Sequence, residues 1–299
     1  MTTLCNFSIY LGAELILVPS PQMPLILDIV KKRTPTWLPG VPTLYQKIMD
    51  AAEEKDVDLS GIRNAFSGAA TLPVEIVERW EALTGGRLVE GFGMTETSPV
   101  LTANPMNGKH RPGYVGVPFP DTEVRIANPE NLDETQPDGQ PGEMLARGPQ
   151  IFQGYFGNAA ATEKTFHNGW FRTGDMALME PDGYIKLVSR IKEIIITGGF
   201  NVYPAEVEEA IAQHPDVVDV AAVGRPRQDG SEDVVGCVTL RDGAVLDPEG
   251  LKEFCRERLT RYKVPRTFYH FEDLARDHLG KIRRHQVRKD LLELLEAKA

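Results

Sequence analysis

The pattern of the chain changes near Arg111, and this change limits the folds open to its 299 residues. Before that residue, short apolar runs alternate with amphipathic segments, as strands and helices do in a parallel α/β sheet. After it, Gly and Pro recur every few residues between short alternating runs, which predicts a small antiparallel sheet or barrel with tight turns. A single uniform layer is therefore excluded, and the length itself suggests roughly two domains.

Residues 1–110 carry the segments that we assign to the α/β part of the chain. Within 42–55, five apolar side chains recur at the spacing of one helix face. They are Leu44, Tyr45, Ile48, Met49 and Ala52. By the same patterns, further helices are predicted at 25–32 and 73–84, and short strands at 13–19, 62–67 and 87–90, the last ending in a glycine turn.

A third block begins near Ser189 and mixes both kinds of element. Its apolar runs predict strands at 193–197, 217–223, 234–240 and 267–271, and helices at 204–214, 248–260 and 284–297. This mixture is typical of a compact α+β domain. The predicted fold class is therefore α/β, with an α/β part at 1–110, a β-barrel-like part at 111–188 and an α+β domain at 193–299.

The charge of the chain excludes one class of partner and favours another. Its net charge is −10, from 33 Lys and Arg against 43 Asp and Glu, which argues against nucleic-acid binding because that needs a basic face. Residues 276–289 nevertheless hold six basic side chains and one acidic side chain, Asp277. Such a local positive field favours a small anionic ligand. The alternative is the solvated face of a terminal helix.

Cysteine and histidine usage predicts a reduced, cytoplasmic compartment and no structural metal. The three cysteines form no CxxC pair, and the six histidines have no zinc-like spacing. The sequence also has no apolar run of about 18 residues, so no ordinary transmembrane helix is expected.

The segment 91–96 (GFGMTE) follows a predicted strand and combines glycines with polar side chains. Glycine allows the backbone to approach a ligand closely. The Thr95 hydroxyl suits a phosphate, and the Glu96 carboxylate suits Mg²⁺, which prefers oxygen ligands. The alternative is a plain strand-to-helix turn that Thr95 caps.

Three further positions have both a chemical and a purely structural explanation. Asp175, which we place on a turn, suits the two hydroxyls of a ribose, or it serves its own turn. The Gly198-Gly199 pair either needs positive φ or lets something thin pass close to the backbone. Lys281, beside Gly280, either reaches an anion as a point charge or is an ordinary surface lysine.

The charged segment 189–193 lies between two blocks and suits a hinge.

Taken together, these segments resemble the adenylate-forming superfamily of acyl-CoA synthetases, luciferases and peptide-synthetase adenylation domains. The matching segments are 67–73 (SGAATLP), 91–96 (GFGMTE), 169–175 (GWFRTGD), Arg190-x-Lys192, 198–208 (GGFNVYPAEVE) and Gly280-Lys281. Segments 148–155, 196–208 and 259–265 are most similar to bacterial long-chain fatty-acid–CoA ligases.

The resemblance implies a ligase that converts fatty acid, ATP and CoA to acyl-CoA, AMP and pyrophosphate through an acyl-adenylate. ATP and CoA are then cosubstrates, and Mg²⁺ is the cofactor. The implied organisation is a partial AMP-binding large domain over 1–188, a hinge over 189–192 and a small mobile domain over 193–299.

The resemblance also implies a role for each matching residue. Thr95 contacts phosphate, Glu96 holds Mg²⁺, and Lys281 bridges the substrate carboxylate and the α-phosphate. Gly68, Ala69 and Phe92 form the adenine slot. Asp175 binds the ribose hydroxyls, with Arg190 nearby. Lys192 is the pivot of domain rotation, and Gly199 lines the pantetheine channel.

The superfamily's Ser/Thr/Gly-rich phosphate loop, which ends in Pro-Lys-Gly, is absent from this sequence. The chain therefore resembles a C-terminal part of such an enzyme. We expect it to hold pyrophosphate poorly and to expose a sheet edge and an apolar face. Two alternatives stay open: an inactive fragment that binds nucleotide or a partner chain, and an acyl-AMP ligase that loads a carrier protein. The expected partners are small molecules and not nucleic acid, and peripheral contact with the inner membrane face is a further alternative.

Overall fold

A computed structural model describes residues 2–227, 230–277 and 280–297 of the chain. These residues form two compact units. Unit 1 comprises Met1–Thr173 with Ala177–Leu187, and unit 2 comprises Gly174–Met176 with Val188–Ala299.

Unit 1 begins with helices and strands that alternate along the chain. The elements are α1 (Phe7–Tyr10), α2 (Met23–Arg33), β1 (Trp37–Gly40), α3 (Pro42–Glu54), β2 (Asn64–Ser67), α4 (Val74–Thr84), β3 (Arg87–Gly93), β4 (Val100–Ala103) and β5 (Val117–Pro118). Strands β1, β2 and β3 run parallel, and β4 and β5 continue the same sheet in antiparallel pairs. The predicted parallel α/β arrangement is confirmed for the first three strands.

One hydrophobic cluster joins α2, α3 and α4 to β2 and β3. The predicted apolar face of α3 is confirmed, since Ile48 and Met49 are fully buried in this cluster. The helix begins at Pro42, whose fixed φ suits a first helical turn. The buried Tyr45 hydroxyl lies 2.9 Å from the carbonyl oxygens of both Leu38 and Phe66. It therefore ties α3 to the ends of the parallel strands.

The predicted buried strand at 13–19 is wrong. These residues form no regular element, and Leu17 is 78% exposed. A buried strand needs a neighbour for its backbone groups, and in the described part of the chain the sheet ends at β1. The expected exposed apolar face is present in this region of unit 1. Five large apolar residues of this region are more than half exposed: Phe7, Ile9, Tyr10, Leu11 and Leu17.

The second sheet of unit 1 follows the Gly- and Pro-rich pattern. Its elements are β6 (Glu123–Asn128), β7 (Asn131–Thr135), β8 (Gly142–Arg147), α5 (Ala159–Thr165), β9 (Phe166–His167), β10 (Trp170–Met179) and β11 (Ile185–Arg190). The strand order is β11-β10-β8-β6-β7, with β9 beside β10. The pairs β6–β7, β6–β8 and β9–β10 are antiparallel, as the turn pattern predicts.

Unit 2 has the predicted α+β composition. Its elements are a 3₁₀ turn (Ile191–Glu193), β12 (Ile195–Thr197), β13 (Phe200–Val202), α6 (Pro204–Ala212), β14 (Val217–Pro226), β15 (Glu232–Leu240), α7 (Pro248–Arg256), β16 (Thr267–His270) and α8 (Arg284–Glu296). Strand β15 pairs antiparallel with β14 and parallel with β16. Alternate residues of β14 enter two different clusters, one with α6 and α7 and one with α8. Helices therefore cover both faces of this sheet.

Among the helices of the described residues, none combines the length and the apolar character needed to cross a bilayer.

Candidate functional site

One group of predicted site residues follows β2 in unit 1. Ligands of parallel sheets bind at the carboxyl ends of the strands, and β2 ends at Ser67. Gly68 is half-buried, and Ala69 is exposed with a left-handed φ of +68°. Such a φ is uncommon for a residue with a side chain. The parallel register sets Ser67 opposite Glu90 of β3, so the loop after β2 begins beside this part of β3.

Strand β3 does not end at Glu90, and that predicted boundary is wrong. It continues to Gly93, because the two glycines allow close packing within the protein. A Cβ atom on Gly91 would collide with the ring of Phe66, and one on Gly93 with the carbonyl oxygen of Pro99. Phe92, between them, is half-buried against the core of the second sheet.

Thr95 and Glu96 lie on a 3₁₀ turn directly after β3. The proposed cap by Thr95 is wrong, because the Thr97 hydroxyl accepts from the amide of Met94 at 3.0 Å and so caps the turn. Thr95 is exposed. The Oε1 atom of Glu96 accepts a hydrogen bond from the Tyr155 hydroxyl at 2.9 Å.

This arrangement fits Mg²⁺ in one particular way. Within the described ranges, no group of three or more His, Cys, Asp or Glu side chains is placed to hold a metal ion. In phosphate sites, however, Mg²⁺ takes one or two carboxylates and completes its shell with phosphate oxygens and water. Glu96 fits that use as a single carboxylate.

Glu90 is a buried carboxyl group that the sequence patterns did not assign to the site. Its Oε1 accepts from the amide of Leu72 at 3.2 Å, which holds the loop after β2. Burial raises the pKa of Glu90 to about 8, although the Leu72 hydrogen bond opposes this. The signal available in the sequence was an acidic residue at the end of the apolar run Leu88-Val89.

Replacing Glu90 with glutamine is expected to remove a pH dependence from the stability of unit 1. The pKa is about 8 in the folded chain and about 4.3 when unfolded. The folded state therefore binds more protons between these values, and stability falls by about 1.4 kcal/mol per pH unit from about pH 5 to 8. Urea unfolding at several pH values measures this slope, because Trp37, Trp80 and Trp170 all lie in unit 1 and report its unfolding.

The control for this prediction is the exposed Glu78 of α4. Glu78→Gln should keep the wild-type slope, whereas Glu90→Gln should flatten it. Equal slopes in the wild type and Glu90→Gln would show that Glu90 is not the group that titrates.

A second group of predicted residues lies in unit 2, which includes the segment Gly174–Met176 of β10. Asp175 is not on a turn, and that prediction is wrong: it lies inside β10 and is 6% exposed. Gly174 has a φ of +73°, yet the strand continues past it. A prediction from turn-forming residues alone does not anticipate this. The Nε atom of Arg190 lies 3.3 Å from Oδ1 of Asp175. A buried carboxylate of this kind needs such a partner.

Lys281 belongs to the same charged group. Burial raises the pKa of Asp175 to about 6, and the charges of Arg190 and Lys281 oppose that rise. The pKa of Lys281 is lowered, first by desolvation and then by the positive charges of Arg190 and Arg284. The structure thus brings together Asp175, Arg190 and Lys281, which are far apart in the sequence.

The Lys281 loop is held by short-range hydrogen bonds. The amide of Lys281 donates to Oδ1 of Asp277 at 3.0 Å, and the amide of Asp277 donates to the carbonyl oxygen of Lys281 at 2.9 Å. A β-bridge joins Arg276 to Ile282. These contacts join residues 276–277 to residues 281–282. Positions 278 and 279 of the predicted basic stretch lie outside the described residues.

Lys192 and Gly199 lie on two neighbouring turns of unit 2. Lys192 is exposed on the 3₁₀ turn Ile191–Glu193. Gly198 and Gly199 form the two-residue connection between β12 and β13, with φ values of +55° and +83°. Such a hairpin turn requires positive φ at both positions, so the turn alone accounts for both glycines. A channel role for Gly199 stays a prediction.

The family of the chain follows from its matches to two family models. The model for the AMP-binding enzyme matches residues 1–156, and the model for the AMP-binding enzyme C-terminal domain matches residues 206–281. The chain belongs to the AMP-binding enzyme family, which confirms the resemblance predicted from its motifs.

Its curated relatives include bacterial long-chain-fatty-acid–CoA ligases. The one from Bacillus subtilis (strain 168) is 39% identical over 293 residues, which are 98% of this chain and 52% of the relative. The one from Escherichia coli O6:H1 is 36% identical over 300 residues, which are 100% of this chain and 53% of the relative. The chain thus spans about half the length of the curated relatives it matches.

Solved structures of similar fold support the predicted α/β class. ATP-bound MatB from Rhodopseudomonas palustris has a TM-score of 0.89 at 32% identity, over 97% of this chain and 57% of that one. The O-succinylbenzoate coenzyme A synthetase MenE from Bacillus subtilis, in complex with ATP and magnesium ion, has a TM-score of 0.82 at 26% identity. That match covers 94% of this chain and 57% of MenE.

Proposed function

We propose that this chain carries adenylate-forming residues of a long-chain fatty-acid–CoA ligase. The observation that supports the proposal best is the group of Asp175, Arg190 and Lys281 in unit 2. It combines a buried carboxylate with cationic side chains, which suits a ribose together with a phosphate. The long-chain-fatty-acid–CoA ligases among the relatives support the proposed substrate class.

In the first step, an oxygen of the fatty-acid carboxylate forms a bond to the α-phosphorus of ATP. The bond from that phosphorus to the bridging oxygen breaks, and pyrophosphate leaves with the electron pair. Lys281 stabilises the negative charge that develops between the carboxylate and the α-phosphate. Asp175 accepts hydrogen bonds from the ribose hydroxyls, and Arg190 keeps this carboxylate ionised.

Unit 1, taken by itself, also carries residues with proposed nucleotide-binding roles. Gly68, Ala69 and Phe92 form the adenine slot, and the exposed Thr95 hydroxyl donates to a phosphate oxygen. Glu96 would hold Mg²⁺, which neutralises phosphate charge when it is bound. The Tyr155 hydroxyl orients the Glu96 carboxylate for this use.

In the second step, the CoA thiol sulfur forms a bond to the acyl carbonyl carbon. The bond from that carbon to the AMP oxygen breaks, AMP leaves with the electron pair, and the thiol releases its proton to water. Lys192 is the pivot for the change between the two steps. Gly199 borders the channel of the pantetheine arm.

The test incubates the purified 299-residue chain with Mg²⁺, ATP, palmitate and CoA, and detects palmitoyl-CoA by mass spectrometry. We expect a thioester signal that requires ATP. A folded chain that forms neither palmitoyl-AMP nor palmitoyl-CoA contradicts the proposal and favours a nucleotide- or partner-binding role. If free CoA and a carrier protein compete and only the carrier is acylated, the acceptor is not CoA.

A further inference from the structure

A mostly buried guanidinium group in unit 2 connects two of the proposed functional segments. Arg284 is the first residue of α8 and follows Lys281 closely in the chain. Its Nη1 atom donates to Oε2 of Glu193 at 2.6 Å. Its Nε and Nη2 atoms donate to the two oxygens of Glu208, at 2.7 and 2.5 Å.

The two carboxylates that bind Arg284 belong to different elements. Glu193 lies at the end of the 3₁₀ turn that carries Lys192. Glu208 lies in α6 and also accepts from the amide of Ala222 on β14, at 2.9 Å. Arg284 therefore joins the start of α8 both to the turn and to the sheet of unit 2. A planar guanidinium with a fixed fork of donors suits this double contact better than an ammonium group does.

The hydrogen bonds described for the preceding loop join its two ends to each other. The amide of Arg283 donates to the carbonyl of Ala275 at 2.8 Å, and Ile282 bridges to Arg276. These contacts join residues 275–276 to residues 282–283. Arg284, at the downstream end of the loop, makes the contact with Glu193.

We propose that Arg284 is a positioning residue that fixes the Lys281 loop against the turn carrying Lys192. The inference rests on the proposed function, which gives Lys281 its role at the α-phosphate and Lys192 its role as pivot. Arg284 then affects both segments through Glu193 and Glu208, without contacting a substrate.

The charges around Lys281 provide a readout that does not depend on activity. The groups that act on its ammonium are Asp175 on β10, Arg190 on β11, Glu193 on the turn and Arg284 on α8, and Asp277 accepts from its backbone amide. Desolvation lowers the pKa of Lys281 most, Arg190 and Arg284 lower it further, and Glu193 and Asp175 raise it. Loss of Arg284 and loss of Glu193 should therefore move this pKa in opposite directions.

The test compares Arg284→Met with Arg288→Met in the full chain. Arg288 is a matched control on the same helix, because it donates to Glu232 at 2.6 Å. Hydrogen exchange of residues 190–194, a range that leaves out Ile196 because its amide donates to Glu232, should rise about tenfold in Arg284→Met. The pH midpoint of Lys281 acetylation, followed by mass spectrometry, should rise, because the positive charge of Arg284 lowers the pKa of Lys281. Arg288→Met should change neither quantity.

Glu193→Gln separates positioning from unfolding. It should also raise the exchange of 190–194, but it should lower the Lys281 midpoint, whereas unfolding would raise that midpoint. Unchanged exchange in a folded Arg284→Met chain, equal effects of Arg288→Met, or a raised midpoint in Glu193→Gln would each overturn the inference.

An activity measurement keeps the inference and the proposed function distinct. In Arg284→Met, kcat for acyl-adenylate formation should fall about tenfold or more, and the KM for ATP should change less than about twofold. A wild-type chain that forms no acyl-adenylate contradicts the proposed function. In that case the exchange and acetylation results still decide whether Arg284 positions the loop.

Discussion

Replacing Lys281 with alanine should slow acyl-adenylate formation by about 10²–10³-fold. Under the proposed function, the ammonium group supplies a positive charge where negative charge develops in the first step. The second step does not use this charge, so thioester formation from supplied palmitoyl-AMP should change less than about twofold. Mass spectrometry of palmitoyl-AMP and palmitoyl-CoA measures the two steps separately.

Arg283→Ala is the matched control for this prediction. It removes one positive charge from the same basic stretch, at an exposed side chain that lies 3.2 Å from the His285 ring. If both variants slow the first step equally, the general positive field of the stretch acts on the substrate, and the specific role of Lys281 is wrong. Equal losses in both steps for Lys281→Ala would also contradict that role.

Replacing Gly199 with leucine should slow thioester formation about tenfold or more, and it should leave acyl-adenylate formation nearly unchanged. Under the proposed function, a side chain at this position would obstruct the passage of the pantetheine arm. Among the described residues, a Cβ atom on Gly199 meets no other atom within 4 Å, so packing inside unit 2 does not explain the glycine. The two half-reactions are measured as for Lys281.

Gly198→Leu is the control. The φ of Gly198 is +55°, which also favours glycine, and a Cβ atom added at Gly198 would likewise meet no described atom within 4 Å. Leucine at either position strains the turn by roughly 1–2 kcal/mol. Only the substitution at Gly199 should slow the second step specifically. Similar losses in both variants would show that the hairpin geometry, and not a channel, requires the glycine.

Local patterns predicted much of the fold because the forces behind them act over a few residues. The apolar face of α3 follows from helical spacing, and the β12–β13 turn follows from the conformational freedom of Gly198 and Gly199. Strands β12, β14, β15 and β16 of unit 2 were predicted from their apolar runs, whereas β13 was not. Ala13–Pro19 has the same kind of run but lies outside the sheet, because a strand also needs a partner.

The candidate site was predicted less completely, since it depends on contacts between distant parts of the chain. The motifs identified Asp175, Arg190 and Lys281 through a family resemblance, but the position of Asp175 inside β10 depends on sheet pairing. Similarly, nothing local to Glu90 shows that the loop after β2 covers its carboxyl group.

The order of elements, the family and the identity of the candidate residues were thus readable in the amino-acid sequence, because spacing and residue type carry them. The raised pKa values of Glu90 and Asp175 and the double ion pair of Arg284 required the folded chain. Burial and charge neighbours depend on which segments pack together. A periodic pattern determines which side of a segment faces inward, but it does not determine what that side meets.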